Sequence, residues 1–350
     1  MKNLIVIDDL SDQEIEHIFR IADDMAGIIE SGNPLLCRGK IMGTLFYEPS
    51  TRTRFSFQSA MMRLGGNVLG FAEPKTTSAA KGETLADTAR IISEYADIIV
   101  IRHPLAGAPK VIADYADVPV INGGDDSHQH PSQTLYDLYT INKHLGQIEG
   151  LKIGLCGDLK FGRTVHSLSY ALARFGAEIV CISPQDLGMP EYVLQKLKLK
   201  YKHPVEYVDR LEDVIADLDV LYMTRIQKER LPAEIDYKSL AGKYVVDKSL
   251  MARAKDQMML LHPLPRVDEI AYDLDDDARA FYFRQSRYGV RVRMAITAVL
   301  LGALKMPDSV RSEPPPRLVS VNKQCINPRC VMTHESYLEQ KFEVISELMV

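Results

Sequence analysis

Short apolar runs alternate with amphipathic stretches along most of the chain. A capping box, Ser11-Asp12-Gln13-Glu14, opens an amphipathic helix that continues to about Glu30. The apolar runs have the length and content of buried strands, and they lie at 40–47, 67–71, 97–104, 119–122, 151–158, 177–182, 218–223 and 260–266. Strands that alternate with helices predict an α/β fold with parallel sheets.

Composition narrows the class of protein. The 350 residues are enough for two domains, and 46% apolar with 25% charged residues is typical of a soluble globular protein. A net charge of −5 provides no basic field for nucleic acid or an anionic membrane. Five scattered cysteines argue against a disulfide framework, and neither a signal peptide nor a membrane-spanning run is evident. We therefore expect a cytoplasmic protein.

The junction between the first predicted strand and the next helix is rich in anion ligands. Pro49 ends the strand, and Ser50 or Thr51 is placed to cap the helix that follows. The first N–H groups of a helix have no partner within it, and the helix dipole favours negative charge there. With the guanidinium groups of Arg52 and Arg54, this junction predicts a phosphate site.

Further donors follow other strands, beyond whose carboxyl ends α/β sheets bind ligands. They are Arg102, His130, Arg163, Arg225 and Gln227. His128 and His130 invite a metal interpretation, but Pro131 indicates a helix start that presents His130 as a donor. The glycines at 154, 157 and 162 do not fit the dinucleotide spacing.

The loop from Glu73 to Lys81 is polar and ends in one cation. The sequence leaves two interpretations open, an ordinary mobile connection and a lid that brings Lys81 to an anionic ligand. No P-loop, G-x-S-x-G turn or obvious Cys–His nucleophile is present. One cluster suits a phosphate and the other suits carboxylates, so the pattern predicts direct transfer between two acidic substrates in a cleft between two domains.

Six ordered motifs carry a resemblance to a known family. From about residue 1 to 305 the chain resembles the catalytic chains of the aspartate carbamoyltransferases, within the aspartate/ornithine superfamily. The motifs are Ser50-Thr51-Arg52-Thr53-Arg54, Lys81-Gly82-Glu83-Thr84, His130-Pro131-Ser132-Gln133, Gly157-Asp158-Leu159-Lys160-Phe161-Gly162-Arg163, Thr224-Arg225-Ile226-Gln227 and His262-Pro263-Leu264-Pro265-Arg266.

The resemblance implies a particular domain organisation. Two doubly wound parallel-sheet domains would hold the active site in the cleft between them. Residues 1–135, completed by the helix at 289–304, would bind carbamoyl phosphate, and residues 136–288 would bind aspartate. Residues 306–350 would form a Pro-rich linker and a C-terminal extension. The expected assembly is a homotrimer with active sites shared between subunits, and a regulatory chain is a further partner that the family allows.

The resemblance also implies roles for individual residues. The phosphate would be bound by Ser50, Thr51, Arg52, Thr53 and Arg102. The carbonyl oxygen would face Thr53, Arg102 and His130, and the carbamoyl NH₂ would face Gln133 and the backbone of Leu264 and Pro265. The aspartate carboxylates would be bound by Arg163, Arg225 and Gln227, with Lys81 and Thr77 supplied by a neighbouring subunit. We expect neither a cofactor nor a bound metal.

The implied reaction is an early step of de novo pyrimidine biosynthesis. The α-amine of L-aspartate attacks the carbamoyl carbon, a tetrahedral oxyanion forms, and phosphate is then expelled from it. A carbamoyltransferase for ornithine is the nearest rival, but Gln227 after Arg225 and Pro263 after His262 favour a di-acid acceptor. A non-catalytic phosphate-binding scaffold is a second rival, disfavoured by the complete set of ligands.

Some positions depart from the family pattern. Ser132 stands in place of Thr and Thr77 in place of Ser, so both keep a hydroxyl, whereas Asp126 stands in place of Gly near an anion site. The extension resembles the first half of the zinc module of the family's regulatory chain, but only the Cys325 and Cys330 pair is present. We therefore expect no complete zinc site, and interpret the extension as a fusion remnant or a docking tail.

Overall fold

The computed structural model describes residues 1–32, 35–73, 78–231, 244–307, 318–320 and 325–344. The chain divides into two compact units, which we call unit 1 (residues 1–136 and 288–350) and unit 2 (residues 137–287). The unit boundaries fall within helix α5 (Pro131–Leu145) and helix α9 (Tyr282–Leu300). Each unit contains one parallel sheet with helices, which confirms the prediction of two α/β domains.

Unit 1 is built on a four-stranded parallel sheet of order β2-β1-β3-β4. Its elements are α1 (Asp12–Ser31), β1 (Ile41–Phe46), α2 (Thr51–Arg63), β2 (Asn67–Phe71), α3 (Leu85–Ser93), β3 (Ile98–His103), α4 (Ala108–Tyr115) and β4 (Val120–Asp125). The run Ile98–Ile101 is fully buried, as expected for a parallel strand covered on both faces. The capping box of α1 forms as predicted, with Ser11 and Glu14 each accepting from the other's backbone N–H.

Unit 2 is built on a five-stranded parallel sheet of order β7-β6-β5-β8-β9. Its elements are β5 (Lys152–Cys156), α6 (Arg163–Arg174), β6 (Glu178–Ile182), α7 (Glu191–Leu199), β7 (Glu206–Val208), β8 (Val220–Met223), α8 (Lys248–Met251) and β9 (Met259–Leu261). Its core packs side chains of the inner strands, such as Val180 and Leu221, against Leu250 and Tyr282. In both sheets the strand order reverses direction once, which is the arrangement of doubly wound sheets.

The structure differs from the sequence-based expectations at several elements. Strand β4 continues through Asp125, where the sequence predicts a turn, and helix α9 begins at Tyr282 rather than 289. At the C-terminus, β10 (Leu318–Ser320) pairs antiparallel with β11 (Lys341–Glu343), and the extension groups with unit 1. Among the described residues, no helix is long and apolar enough to cross a membrane.

Candidate active site

In unit 1 the strand order reverses between β1 and β3. These two strands are adjacent and parallel, and Phe46 pairs with Arg102 at their carboxyl ends. The N–H of Tyr47 donates to the carbonyl of Arg102 at 2.8 Å, so the pairing extends to the last residues of both strands. The connections leave in opposite directions at such a point, which opens a crevice for ligands beyond the strand ends.

The N-terminus of helix α2 follows β1 directly. Ser50 is the N-cap residue in extended conformation, as predicted, but its side chain makes no capping hydrogen bond. A serine at this position ordinarily satisfies one N–H of the first turn. Thr51 and Arg52 are exposed, whereas Thr53 is buried. The start of α2 therefore combines backbone donors, hydroxyls and a cation, which is suitable for binding a phosphate.

Arg102 lies beside this helix terminus and has an acidic neighbour. Its guanidinium donates to the carboxylate of Glu48 and to the carbonyl of Gly123, each at 3.4 Å. Glu48 was not among the predicted site residues, although it precedes Pro49 in the same motif. Because the Arg102 side chain is largely buried, these contacts fix the direction of its guanidinium.

The structure brings Thr53 and His130 together across unit 1. The Thr53 hydroxyl lies 3.5 Å from Nε2 of His130, and the Ser132 hydroxyl lies 3.5 Å from Nδ1 of the same ring. All three side chains are buried. Gln133, one residue further, accepts a hydrogen bond from the hydroxyl of Tyr136. Thr53 and His130, to which the resemblance gives the carbonyl oxygen, thus lie close together, and their role stays a prediction.

A buried carboxylate organises the turn before His130. Asp125 accepts hydrogen bonds from the N–H of Gly107 at 2.8 Å, from Asn122 at 2.8 Å and from Nδ1 of His128 at 2.9 Å. Burial would raise the pKa of Asp125, but His128 and these hydrogen bonds outweigh it and lower the pKa. His128 is therefore a partner of Asp125.

In unit 2 the strand order reverses between β5 and β8. The two strands pair through Cys156 and Met223 at their carboxyl ends. Gly157 follows β5 with a φ of +112°, and a Cβ there would lie 2.2 Å from the carbonyl oxygen of Thr224. Only glycine permits this close approach. The segments after β5 and β8 are consequently in direct contact.

Asp158 joins these two segments, and the sequence-based reasoning missed it. One carboxylate oxygen accepts from the N–H of Phe161 at 2.9 Å. The other accepts from the backbone N–H of Gln227 at 3.2 Å and from its side-chain amide at 3.4 Å. Burial raises the pKa of Asp158, with the hydrogen bonds from Phe161 and Gln227 opposing it. Its position directly after Gly157 at a strand end was the available signal.

The two arginines predicted to bind carboxylates follow these strands, Arg163 at the start of α6 and Arg225 two residues after β8. Arg163 is the first residue of α6 and is buried. Arg225 forms a two-point pair with Glu229, in which Nη1 donates at 3.1 Å and Nη2 makes a shorter bond. The hydrogen bonds with Glu229 raise the pKa of Arg225 and lower that of Glu229. Arg225 thus has the forked geometry that recognises a carboxylate.

The loop after β9 is fixed by a buried histidine. Nδ1 of His262 accepts from the N–H of Leu264 at 2.8 Å, so the ring proton lies on Nε2 and is donated to Glu269 at 2.7 Å. Burial would raise the pKa of Glu269, but the bond from His262 outweighs it and lowers the pKa. Leu264 has a φ of +55° and a cis peptide bond to Pro265. The hydrogen bond to His262 holds the backbone N–H of Leu264 in place.

The remaining predictions concern Lys81, Thr77 and the thiols. Lys81 ends a short 3-10 helix (Ser78–Lys81) and is exposed, whereas Thr77 lies outside the described residues. Burial raises the pKa of Cys37 to about 11 and that of Cys181 to about 12, so neither is an activated nucleophile. Among the residues that the structure describes, no group of three or more His, Cys, Asp or Glu could hold a metal ion.

The fold and these sites define a two-domain α/β protein with arginines and hydrogen-bond donors in the segments that follow the strands of both sheets. The family described as aspartate/ornithine carbamoyltransferase, carbamoyl-P binding domain, matches residues 2–143, and the Asp/Orn binding domain matches residues 149–300. The catalytic subunit of aspartate carbamoyltransferase from Clostridium botulinum is 53% identical over 304 residues, covering 86% of this chain and 98% of that protein.

Solved structures give the same result. The catalytic subunit of M. jannaschii aspartate transcarbamoylase is 48% identical with a TM-score of 0.79, covering 86% of this chain and 98% of that one. Trypanosoma cruzi aspartate transcarbamoylase, in complex with carbamoyl phosphate and aspartate, is 39% identical with a TM-score of 0.78, covering 85% and 94%. The chain belongs to the aspartate carbamoyltransferase catalytic subunit family.

Proposed function

We propose that this protein transfers the carbamoyl group of carbamoyl phosphate to the α-amine of L-aspartate, giving N-carbamoyl-L-aspartate and phosphate. The M. jannaschii and Clostridium relatives named for this activity align over nearly their full length. The reaction would be an early step of de novo pyrimidine biosynthesis. The observation that carries the proposal is the start of α2, where the N-cap Ser50 leaves the helix terminus without a side-chain cap.

In this proposal unit 1 binds carbamoyl phosphate. The phosphate is bound by Ser50, Thr51, Arg52, Thr53 and Arg102, which follow β1 and end β3. Arg102 is aligned for this role by Glu48 and by the carbonyl of Gly123. Thr53, Arg102 and His130 donate to the carbonyl oxygen, and their support is the 3.5 Å contact between Thr53 and His130. The carbamoyl NH₂ is bound by Gln133, whose side chain is buried in unit 1.

Unit 2 binds aspartate in the same proposal. Arg163, Arg225 and Gln227 are its carboxylate ligands, with Lys81 from a neighbouring subunit. Asp158 supports this assignment, because its bonds to Gln227 fix the segment that also carries Arg225. Two guanidinium groups and an amide match a di-acid better than a diamine.

The chemistry is direct attack of the amine on the carbamoyl carbon. Alignment of two substrates contributes roughly 7–11 kcal/mol, and one oxyanion donor contributes roughly 3–4 kcal/mol. Donors at Thr53, Arg102 and His130 stabilise the oxyanion as it forms, and the departing phosphate accepts the proton of the amine. The reaction therefore requires no nucleophile of the protein, in keeping with the raised pKa values of Cys37 and Cys181.

Turnover of the purified protein tests the proposal. We expect carbamoyl phosphate to be consumed with L-aspartate and not with L-ornithine. Calorimetry with N-(phosphonacetyl)-L-aspartic acid, which one structure of the T. cruzi relative contains, should show tight binding. Turnover with ornithine would favour the rival carbamoyltransferase, and binding of phosphate without any turnover would favour the non-catalytic scaffold.

We further propose a cytoplasmic homotrimer with shared active sites. The five free cysteines favour a reducing compartment. Phe55 and Met62 are 54% and 63% exposed on α2, which provides apolar surface for a subunit contact. We also propose, from the sequence alone, that a regulatory chain is a further partner. The resemblance of the Cys325 and Cys330 pair to half of a zinc module likewise rests on the sequence. Light scattering gives the mass of the assembly, and elemental analysis should return no stoichiometric zinc.

A further inference from the structure

The C-terminal segment, which we define as residues 325–344, makes backbone hydrogen bonds to unit 1. The N–H of Ala106 donates to the carbonyl of Arg329 at 2.8 Å, and the N–H of Val331 donates to the carbonyl of Ala106 at 2.9 Å. Val331 is buried in the core that contains Ile101 and Ile112. The segment therefore packs at a defined position on unit 1. The family match ends at residue 300, so this segment is additional to the family domains.

Arg329 pairs with the residue at which the chain departs from the family pattern. Its Nη1 lies 3.3 Å from Oδ1 of Asp126, which replaces the usual glycine. Asp126 is 5% exposed and has a φ of +42°, a conformation that glycine adopts more easily. The C-terminal segment thus places a cation beside a buried carboxylate in a turn with positive φ.

Arg329 contacts two segments of unit 1 that Asp125 links to each other. Asp125 accepts from the N–H of Gly107 and from Nδ1 of His128, so it joins the loop after β3 to the turn before α5. The carbonyl of Arg329 accepts from the N–H of Ala106 in the loop after β3, and its guanidinium pairs with Asp126 in the turn before α5. The loop follows Arg102 and the turn leads to His130. The C-terminal segment thus makes hydrogen bonds to both segments that adjoin the proposed carbonyl-oxygen donors Arg102 and His130.

Tyr337 makes a third contact. Its hydroxyl accepts from the N–H of Ala86 at 3.2 Å in the first turn of α3, and its ring lies 6.1 Å from that of Tyr115 in a T-shaped arrangement. Helix α3 follows the loop that ends in Lys81. All three contacts therefore lie on segments next to proposed substrate ligands.

We propose that the C-terminal segment is an intramolecular positioning element for carbamoyl phosphate, with Arg329 as the positioning residue that acts through Asp126 on the turn before His130. This inference rests on the proposed function. It assigns no substrate contact to the segment. The segment affects the affinity for carbamoyl phosphate, because both of the segments that Arg329 contacts belong to unit 1.

A double-mutant cycle between Arg329 and Asp126 tests the proposal. R329A should raise the KM for carbamoyl phosphate about three- to tenfold, and leave the KM for aspartate within about twofold. D126G removes the buried carboxylate and relieves the strained turn, so R329A added to D126G should change that KM by less than about twofold. Lys341→Ala, which breaks the exposed pair with Glu339 within the segment, is the matched control.

Hydrogen exchange provides a readout that does not depend on the reaction. The amides of Ala106 and Val331 should exchange faster in R329A than in the unaltered protein. Equal exchange, an unchanged KM for carbamoyl phosphate, or an equal rise in KM with and without D126G would each overturn the proposal. Absence of turnover with carbamoyl phosphate and aspartate in the unaltered protein would instead overturn the proposed function, while the exchange result still tests the contact.

Discussion

The carboxylate of Asp158 binds Gln227 twice, through the backbone N–H at 3.2 Å and the side-chain amide at 3.4 Å. This pair fixes the segment after β8 against the end of β5, so Arg225 is carried by a fixed backbone. Asp158→Asn keeps the size of the side chain but replaces one acceptor oxygen with a donor. We expect the KM for aspartate to rise about tenfold, equivalent to about 1.4 kcal/mol, with a smaller change in kcat.

Steady-state kinetics with aspartate as the varied substrate measures this effect. Asp186→Asn is the control, because Asp186 is an exposed acid of the same unit. An unchanged KM for aspartate in Asp158→Asn would show that the segment is held by other contacts.

The second prediction concerns the hydroxyl of Thr53, 3.5 Å from Nε2 of His130. Thr53→Val has the same shape and removes only this hydroxyl. If Thr53 donates to the oxyanion, kcat should fall about 10²- to 10³-fold, the usual effect of losing one such donor. Thr53→Ser keeps the hydroxyl and should retain most of the activity. Near-normal kcat in Thr53→Val, or a larger loss in Thr53→Ser than in Thr53→Val, would mean that packing of the methyl group matters and the hydroxyl does not.

The third prediction concerns Glu229, which forms the two-point pair with Arg225. Glu229→Gln keeps one acceptor and loses the charge, so Arg225 becomes less well oriented. Because Glu229 is 56% exposed, we expect only a modest rise of about three- to fivefold in the KM for aspartate, typical of an exposed ion pair. Glu191→Gln, on the exposed start of α7, is the control. A lower KM for aspartate would mean that Glu229 competes with the substrate for Arg225.

Much of the fold could be predicted because parallel strands are buried on both faces and leave continuous apolar runs, as at Ile98–Ile101. Strand β7 (Glu206–Val208) was missed, since it is a short edge strand without such a run. The turn predicted at Gly123-Gly124-Asp125-Asp126 was wrong for its first three residues, because β4 continues through Asp125 and the turn starts at Asp126. There, pairing of His103 with Asp125 extends β4 past residues that favour turns.

The candidate ligands could be found from the sequence because they lie at strand ends and helix starts, which local patterns reveal. Their acidic partners could not. Glu48 meets Arg102, and Asp158 meets Gln227, through pairings set by tertiary packing. The packing of Val331 in unit 1 could not be predicted from local patterns either. It depends on contacts between residues more than 200 positions apart in the chain, such as Arg329 and Asp126.

The last prediction concerns the pH dependence of stability and His103. Burial lowers the pKa of His103 to about 4 from its ordinary 6.5, against the opposing charges of Asp125 and Glu48. Its Nδ1 accepts from the N–H of Leu105 at 3.1 Å, which requires the neutral ring. Between pH 6.5 and about 4 the unfolded chain therefore binds a proton that the folded protein does not. The folded state should lose up to about 3 kcal/mol as the pH falls through this window.

His103→Asn keeps an acceptor near Leu105 and removes the titrating ring. Its free energy of unfolding should consequently fall less between pH 6.5 and 4 than that of the unaltered protein, even if it starts lower at neutral pH. Urea denaturation at several pH values measures both curves, and His17→Gln, a change at a half-buried histidine that contacts the carbonyl of Lys305, is the control. Parallel curves for His103→Asn and the unaltered protein would show that His103 takes up its proton equally in the folded and unfolded states.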